Sequence, residues 1–401
     1  MQIDENRLAR QTIEVDKVIN HFISGVSRGV AGEFPTGFGK TYMAFLAIKR
    51  IPINKIVHVI VPTEALKNQW EKLILEQLPN YNIKVFIINT YVMELRVCDF
   101  LLIDEGHKIS NKDAVMFSLV LDICTFVNCW ILSAKFTTEQ LLFLESKDIK
   151  LISKITVEEA KKNNWVSQYK IYNLAIDLTT QEEEEYIKVD NIFKSHFPYF
   201  NNDLKLLYEL LQNKEARLNY CNENDFNEQD IAMRAVRATA AISKRKSIVY
   251  NAFNKKQIIA DIVKLVNKKT IVFSQTIKFC QEAKKLVDKS TIYHSNLKPK
   301  EKEAALLGII TDKYNCILSV KALQEGLDVK GLQCGIRASY DSTERGMIQT
   351  LGRVIRKEEN KEFAVFVSLY CKNTMEIGWL KTSQKSFANV RWIESINEIE
   401  L

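Results

Sequence analysis

Short apolar runs rich in β-branched residues recur along the chain, and nearly continuous runs of that length suit strands buried on both faces. In the first part they are 55-KIVHVIV, 84-KVFIIN, 99-DFLLID and 129-CWILSA. Later they return as 270-TIVFSQ, 291-TIYHS, 315-NCILSV, 334-CGIRAS and 363-FAVFVSL. Between them lie stretches of helical period such as 63-TEALKNQWEKLILEQL, where Leu66, Trp70, Leu73 and Ile74 fall at helix spacing. Strand and helix alternating in both halves predicts an α/β chain with two parallel sheets flanked by helices. The middle differs. After 170-KIYNLAIDL come the polar, helix-favouring stretches 180-TQEEEEYIKVDNIFKS and 229-QDIAMRAVRATAAISKRK, which predict a mostly helical insertion.

A chain of 401 residues exceeds one ordinary domain. The expected division is a first lobe over 1–152, the start of a second lobe with the helical insertion over 153–255, and the rest of the second lobe with a C-terminal helix over 256–401. With 13 glycines and 6 prolines there is little material for flexible linkers, so the domains should abut. No apolar run is long enough for a membrane span. The eight cysteines form no CxxC pair and sit in apolar stretches such as 121-LDICTFVNCWIL, as reduced core thiols do. An intracellular, cytoplasmic setting without a zinc site is expected, in the host cytoplasm if the chain is viral. The first residues carry acids and no apolar segment, unlike a secretory signal. The net charge of +7 permits a polyanionic partner without demanding one.

The strongest chemical signal is 34-FPTGFGKTYMAFLAIKR. Gly37 and Gly39, with Thr36 and Phe38 around them, let backbone N–H groups turn toward phosphate oxygens, and Lys40 can reach the β- and γ-phosphates. Thr41 offers a hydroxyl to Mg²⁺, and the following apolar run starts a helix whose N-terminus favours an anion. The strict GxxxxGK[ST] pattern wants glycine where this chain has Phe34. Further on, the apolar run 100-FLLI ends in Asp104, Glu105, Gly106 and His107. Two carboxylates at the carboxyl edge of a parallel sheet stand where doubly wound folds bind ligands. Asp104 would hold Mg²⁺ through water and Glu105 would polarise the attacking water.

Together PTGFGKT, 61-VPTEALKNQW, 103-IDEGH, 132-LSA, 323-LQEGLDV and 349-QTLGRVIR resemble, in order, the motifs of superfamily 2 DExH-box helicases and translocases. The pairing of VPTxxLxxQW with EGLDV and QxxGRxxR is most similar to the XPB-like, UvsW-like and type III restriction-helicase group, and leaves a phage-encoded origin open. The resemblance covers about Gln11 to Arg356 and is weakest in the central insert. It implies tandem RecA-like lobes, ATP with Mg²⁺, and a nucleic-acid substrate, DNA before RNA.

Residue by residue, the resemblance implies that Gln11 reads the adenine edge, though a helix-surface glutamine is the other reading. Lys40 and Thr41 would contact phosphate and Mg²⁺, Asp104 the Mg²⁺, Glu105 would be the catalytic carboxylate, and His107 would link nucleotide state to the opposite lobe. Gln349, Arg353 and Arg356, spaced i, i+4 and i+7, would share one helix face as the arginine-finger element acting on γ-phosphate charge. Glu325, Gly326 and Asp328 would couple the nucleic-acid backbone to the cleft. Pro62, Thr63 and Gln69 in lobe one, and Ser274, Gln275 and His294 in lobe two, would contact the backbone of a bound strand. For Trp70 the packing reading stands beside the contact reading.

Lys135 is a departure: after Ser133 and Ala134 the family usually has threonine, which puts the usual coupling between ATP state and unwinding in question. In the insert, Arg234 and Arg237 could line a duplex-contacting surface or a solvated face. The resulting expectation is an ATP-dependent DNA helicase or translocase that remodels branched or forked DNA in recombination, repair or replication. The alternatives are a DExH RNA helicase, or an ATPase subunit that needs a protein partner.

Overall fold

The computed structural model describes all residues except 1–4, 109–117, 321–328, 359–360 and 362. Six strands form the first sheet: β1 (Gly29–Glu33), β2 (Val57–Val61), β3 (Ile83–Ile87), β4 (Arg96–Ile103), β5 (Cys124–Ser133) and β6 (Ile149–Lys154). Their order is β3-β2-β4-β5-β1-β6, and every pairing is parallel. The second sheet holds β7 (Gln168–Ile176), β8 (Thr270–Ser274), β9 (Ser290–Tyr293), β10 (Cys316–Val320), β11 (Cys334–Arg337), β12 (Phe363–Cys371) and β13 (Val390–Ile393). It is ordered β13-β7-β12-β11-β8-β10-β9 and is also wholly parallel.

Every residue of β1, β2, β8 and β10 is buried, as strands covered by helices on both faces must be. Three of these strands were legible as apolar runs. The structure adds β1, β6 and β13. Of these, β1 is the short GVAGE, and β13 pairs with β7 as an edge strand beyond the helix Glu376–Ser383, so the chain does not end on that helix.

Between β7 and β8 lie the helices Thr180–His196, Leu204–Gln212, Lys214–Asn224, Glu228–Asn251 and Phe253–Val266. Part of this insert has its own small core around Phe200, Leu207, Leu210, Ile231, Ala235 and Ala238. The lobes meet through one continuous apolar cluster that includes Phe34, Phe38, Trp165, Val166, Met347, Leu351 and Ile355. A backbone bond from Ser167 N to Ile355 O, 2.9 Å, fixes the crossing segment against lobe two. This contact places the ends of β1 and β4 opposite the helix Glu344–Val354.

Candidate active site

The loop after β1 turns through Gly37 (φ 93°) and Gly39 (φ 104°) into the helix Lys40–Ile48. That helix has no side-chain cap and no acid in its first turn, so its leading N–H groups face an anion without competition from a carboxylate. Phe34, where the strict loop has glycine, is fully buried, stacks near Phe38 (6.1 Å) and meets Trp130 edge-on at 6.5 Å. Its ring closes the core beneath the loop. Lys40 Nζ lies 3.4 Å from the Phe34 carbonyl. Thr36 Oγ1 is buried and has no hydrogen-bond partner among the described residues. An uncapped helix N-terminus, a lysine and an orphaned hydroxyl suit the phosphates of a nucleotide.

Gln11 is buried on the N-terminal helix Glu5–Ser24, and its Nε2 donates to the Phe38 carbonyl at 2.6 Å. Its amide is therefore tied to the phosphate loop itself.

At the end of β4 both Asp104 oxygens are engaged. Trp70 Nε1 donates to Oδ2 at 3.2 Å, and the Glu105 amide donates to Oδ1 at 2.9 Å. Trp70 is buried and packs edge-on against Phe45 of the loop helix at 5.4 Å. It is thus both a packing residue and the donor that orients Asp104, a role sequence reasoning missed. The next residue, Glu105, sits in the left-handed region at φ 53°, a conformation that costs roughly 1–3 kcal/mol and is held by its surroundings. Gly106 is required by close approach, since a Cβ there would stand 2.0 Å from Ile131 Cγ2 of β5.

Glu105 Oε2 accepts from Gln349 Nε2 of the second lobe at 3.1 Å and lies 3.4 Å from His107 Nδ1. His107 Nδ1 is also 3.2 Å from Ser133 Oγ, and its carbonyl accepts from Gln140 Nε2 at 2.8 Å. Gln140 completes a capping box with Thr137, a signature readable as T-x-x-Q. Ser133 Oγ also meets the Lys135 backbone, donating to its carbonyl at 3.1 Å and accepting from its amide at 3.3 Å. The Lys135 side chain crosses the cleft, with Nζ 3.7 Å from Glu344 Oε1.

Burial, with the neighbouring Glu105 charge, pushes the Asp104 carboxyl up to about 6, against the pull of Lys40 and the Trp70 bond. Burial works the same way on Glu105, but the charges of Lys40 and Arg353 outweigh it and hold its pKa below the ordinary value. Burial lowers His107 to about 3, so it is neutral near pH 7. The two carboxylates therefore titrate apart, as paired groups with divided roles do.

Gln349 and Arg353 lie on the helix Glu344–Val354, with Arg356 just beyond its end. Burial lowers the pKa of Arg353 and of Arg356, while the carboxylates of Glu105 and Asp104 counter it at Arg353. A Cβ on Gly37 would lie 3.3 Å from Arg356 Cγ, and one on Gly352 would lie 2.3 Å from Thr36 Cβ. The phosphate loop and the arginine helix are therefore in direct contact. Arg345, one turn before Gln349, also faces the Glu105 carboxylate and the His107 ring, and it was missed because it falls outside the QxxGRxxR spacing.

Two family models match the chain: residues 7–96 match the type III restriction enzyme res subunit, and residues 254–358 match the helicase conserved C-terminal domain. The first carries the phosphate loop and the second the arginine helix. Both models and the relative that follows support a superfamily 2 helicase of the XPB and type III restriction group. It is an ATP-using enzyme of the helicase class. The DNA 3'-5' translocase XPB2 of Sulfurisphaera tokodaii is 23% identical to this helicase over 367 residues, which cover 85% of the chain and 77% of the relative. The fold is like that of the Hef helicase domain of Pyrococcus furiosus (TM-score 0.57, 13% identity, 94% of this chain and 99% of the other). It is also like that of S. cerevisiae Dbp5 bound to RNA and ADP BeF3 (TM-score 0.59, 11% identity, 92% and 86%).

The other residues singled out in the helicase sequence divide by lobe. Pro62 and Thr63 follow β2, where Thr63 caps the helix Glu64–Gln77 by accepting from Leu66 N at 3.4 Å, and Gln69 is exposed on that helix. In lobe two Ser274 ends β8, the Gln275 amide donates to Ser339 Oγ at 2.7 Å, and His294 follows β9. His294 Nδ1 is buried without a hydrogen-bond partner among the described residues. Except for Gln69, these residues stand at carboxyl ends of parallel strands. In the insert, Arg234 pairs with Asp230 (2.7 Å) and lies over the Tyr199 ring at 3.8 Å, whereas Arg237 is exposed. Glu325, Gly326 and Asp328 lie outside the described residues.

A cavity of about 1610 Å³ opens between lobe one, the insert and lobe two. Its walls include Lys135, Phe143, Lys205, Tyr208 and Arg345. All eight cysteines are free thiols, and among the described residues no helix is long and apolar enough to cross a membrane.

Proposed function

We propose that this helicase is an ATP-dependent DNA translocase that acts on branched or forked DNA. The observation that carries the reading is the bond from Gln349 to Glu105: a lobe-two side chain reaches the carboxylate beside the phosphate loop, so hydrolysis requires a closed cleft. The Sulfurisphaera relative, described as a DNA translocase, supports DNA over RNA.

In this reading Lys40 and the uncapped helix N-terminus bind the β- and γ-phosphates, while Thr41 and Asp104 hold Mg²⁺. Bound ATP supplies the phosphoanhydride that is cleaved. Glu105, the more acidic of the two carboxylates, orients and deprotonates the attacking water, and Gln349 positions its carboxylate. Arg353 and Arg356 neutralise charge developing on the transferred group, as arginines brought by a second lobe do. Pro62, Thr63, Ser274, Gln275 and His294 meet the nucleic-acid backbone at the strand ends, which makes affinity sensitive to salt and largely independent of sequence.

The test is ATP hydrolysis with single-stranded, duplex and branched DNA and with RNA. Stimulation by branched DNA above the other substrates is expected. Stimulation by RNA alone, or by no nucleic acid, overturns the proposal.

A further inference from the structure

Lys135 breaks the Ser-Ala-Thr pattern, and the structure gives its side chain a different partner. The side chains of Lys135 and Glu344 are 29% and 12% exposed, so their ion pair is partly withdrawn from solvent. Among the described residues Glu344 is the carboxylate within ion-pair distance of Lys135, and the nearby Lys154 is taken by Glu33 at 3.3 Å. Glu344 is the first residue of its helix, whose cap Thr343 accepts from Gly346 N at 3.1 Å. The positive end of that helix repels an isolated ammonium, and the Glu344 carboxylate reverses the local field.

These contacts close a ring around the cleft. Glu105 meets His107, His107 meets Ser133, Ser133 holds the Lys135 backbone, and Lys135 pairs with Glu344. The helix then returns to Glu105 through Gln349. We propose that the Lys135–Glu344 pair is the positioning element that seats the second lobe's helix against Glu105, joining the lobes by charge where the family uses a threonine hydroxyl. The inference rests on reading this cleft as the ATPase site.

The test uses Lys135→Glu, Glu344→Lys and the double exchange in the full chain. Two readouts are taken: kcat and KM for ATP on DNA, and lobe closure with a non-hydrolysable ATP analogue, followed by dyes at the exposed positions 76 and 278. Each single variant places like charges across the cleft. Each should close less often and lose roughly fivefold to tenfold in kcat, with KM changed by less than about twofold. The double exchange should recover closure and most of kcat. Single variants that close normally, or a double variant that closes no better than the worse single one, overturn the proposal. If the wild type hydrolyses no ATP on any nucleic acid, the ATPase reading falls while the closure measurement still decides the role of the pair.

Discussion

Gln349 Nε2 donates to Glu105 Oε2 across 3.1 Å, so one carboxylate is shared by two lobes that otherwise have separate sheets. The charges of Lys40 and Arg353 keep that carboxylate ionised despite its burial. A charge held this way is stable only while both cations surround it, and one of the two, Arg353, arrives with the second lobe. Chemistry at Glu105 therefore depends on the position of the helix Glu344–Val354.

Replacing Glu105 with glutamine keeps the shape and removes the proposed base. Loss of a positioned general base costs about 10²–10⁴ in rate, so kcat should fall at least 100-fold while a fluorescent ATP analogue still binds. Arg353→Ala should cost roughly 10³ or more, because a finger cation acts chiefly in the transition state. Steady-state ATPase kinetics check both. A variant of either kind within threefold of wild type would remove that residue from the chemistry.

The phosphate loop, the DEGH segment and the arginine helix were legible because each is a local string whose chemistry follows from adjacent residues. The parallel α/β lobes were legible because strands buried on both faces produce apolar runs. β1 escaped because GVAGE is too short and too small in side chain to make such a run, although its five residues are all buried between β5 and β6. β13 escaped because VRWI is an edge strand with exposed residues. Trp70 on Asp104 and Lys135 on Glu344 join residues 34 and 209 positions apart, and no periodicity encodes such pairs. Arg234 shows the converse: charge is visible in a sequence, but its use against Asp230 and Tyr199 is not.

Asp104 predicts a pH response. Burial lifts its pKa from 3.8 to about 6, so the stability it contributes is present below about 4 and fades as pH rises through 6. Mg²⁺ binding at Asp104, as proposed above, would need the ionised form and have the opposite slope: apparent Mg²⁺ affinity should weaken as pH drops through 6. Trp70→Phe removes a donor that favours the carboxylate, moving the midpoint toward neutrality. Mg²⁺ titrations of ATPase activity between pH 5 and 8 measure it. An identical midpoint in wild type and variant counts against the Trp70 bond.

Gly352 separates folding from closure. Alanine there should favour its helix by up to about 1 kcal/mol on intrinsic propensity. Yet its Cβ would stand 2.3 Å from Thr36 Cβ in the other lobe. Gly352→Ala should therefore keep or raise the melting temperature of lobe two while lowering ATPase activity more than tenfold. Full activity in a well-folded variant would mean that the lobes do not need this contact.

The fold of lobe two depends on a charge pair far from the cleft chemistry. Lys255 Nζ donates to both Glu376 oxygens (2.7 and 2.9 Å) and to the Ala338 carbonyl (2.9 Å), and both side chains are fully buried. The Cys371 amide donates to Glu376 Oε2 at 2.8 Å, so the carboxylate also ties β12 to the helix that follows it. Removing one member leaves the other charge uncompensated in the core. Glu376→Leu should destabilise by about 3–5 kcal/mol, whereas Lys255→Met combined with Glu376→Leu should cost much less, because neither ion is then stranded. Urea denaturation of the single and double variants gives the coupling directly. A double variant as unstable as the sum of the singles would show that the two side chains act independently, through packing rather than charge.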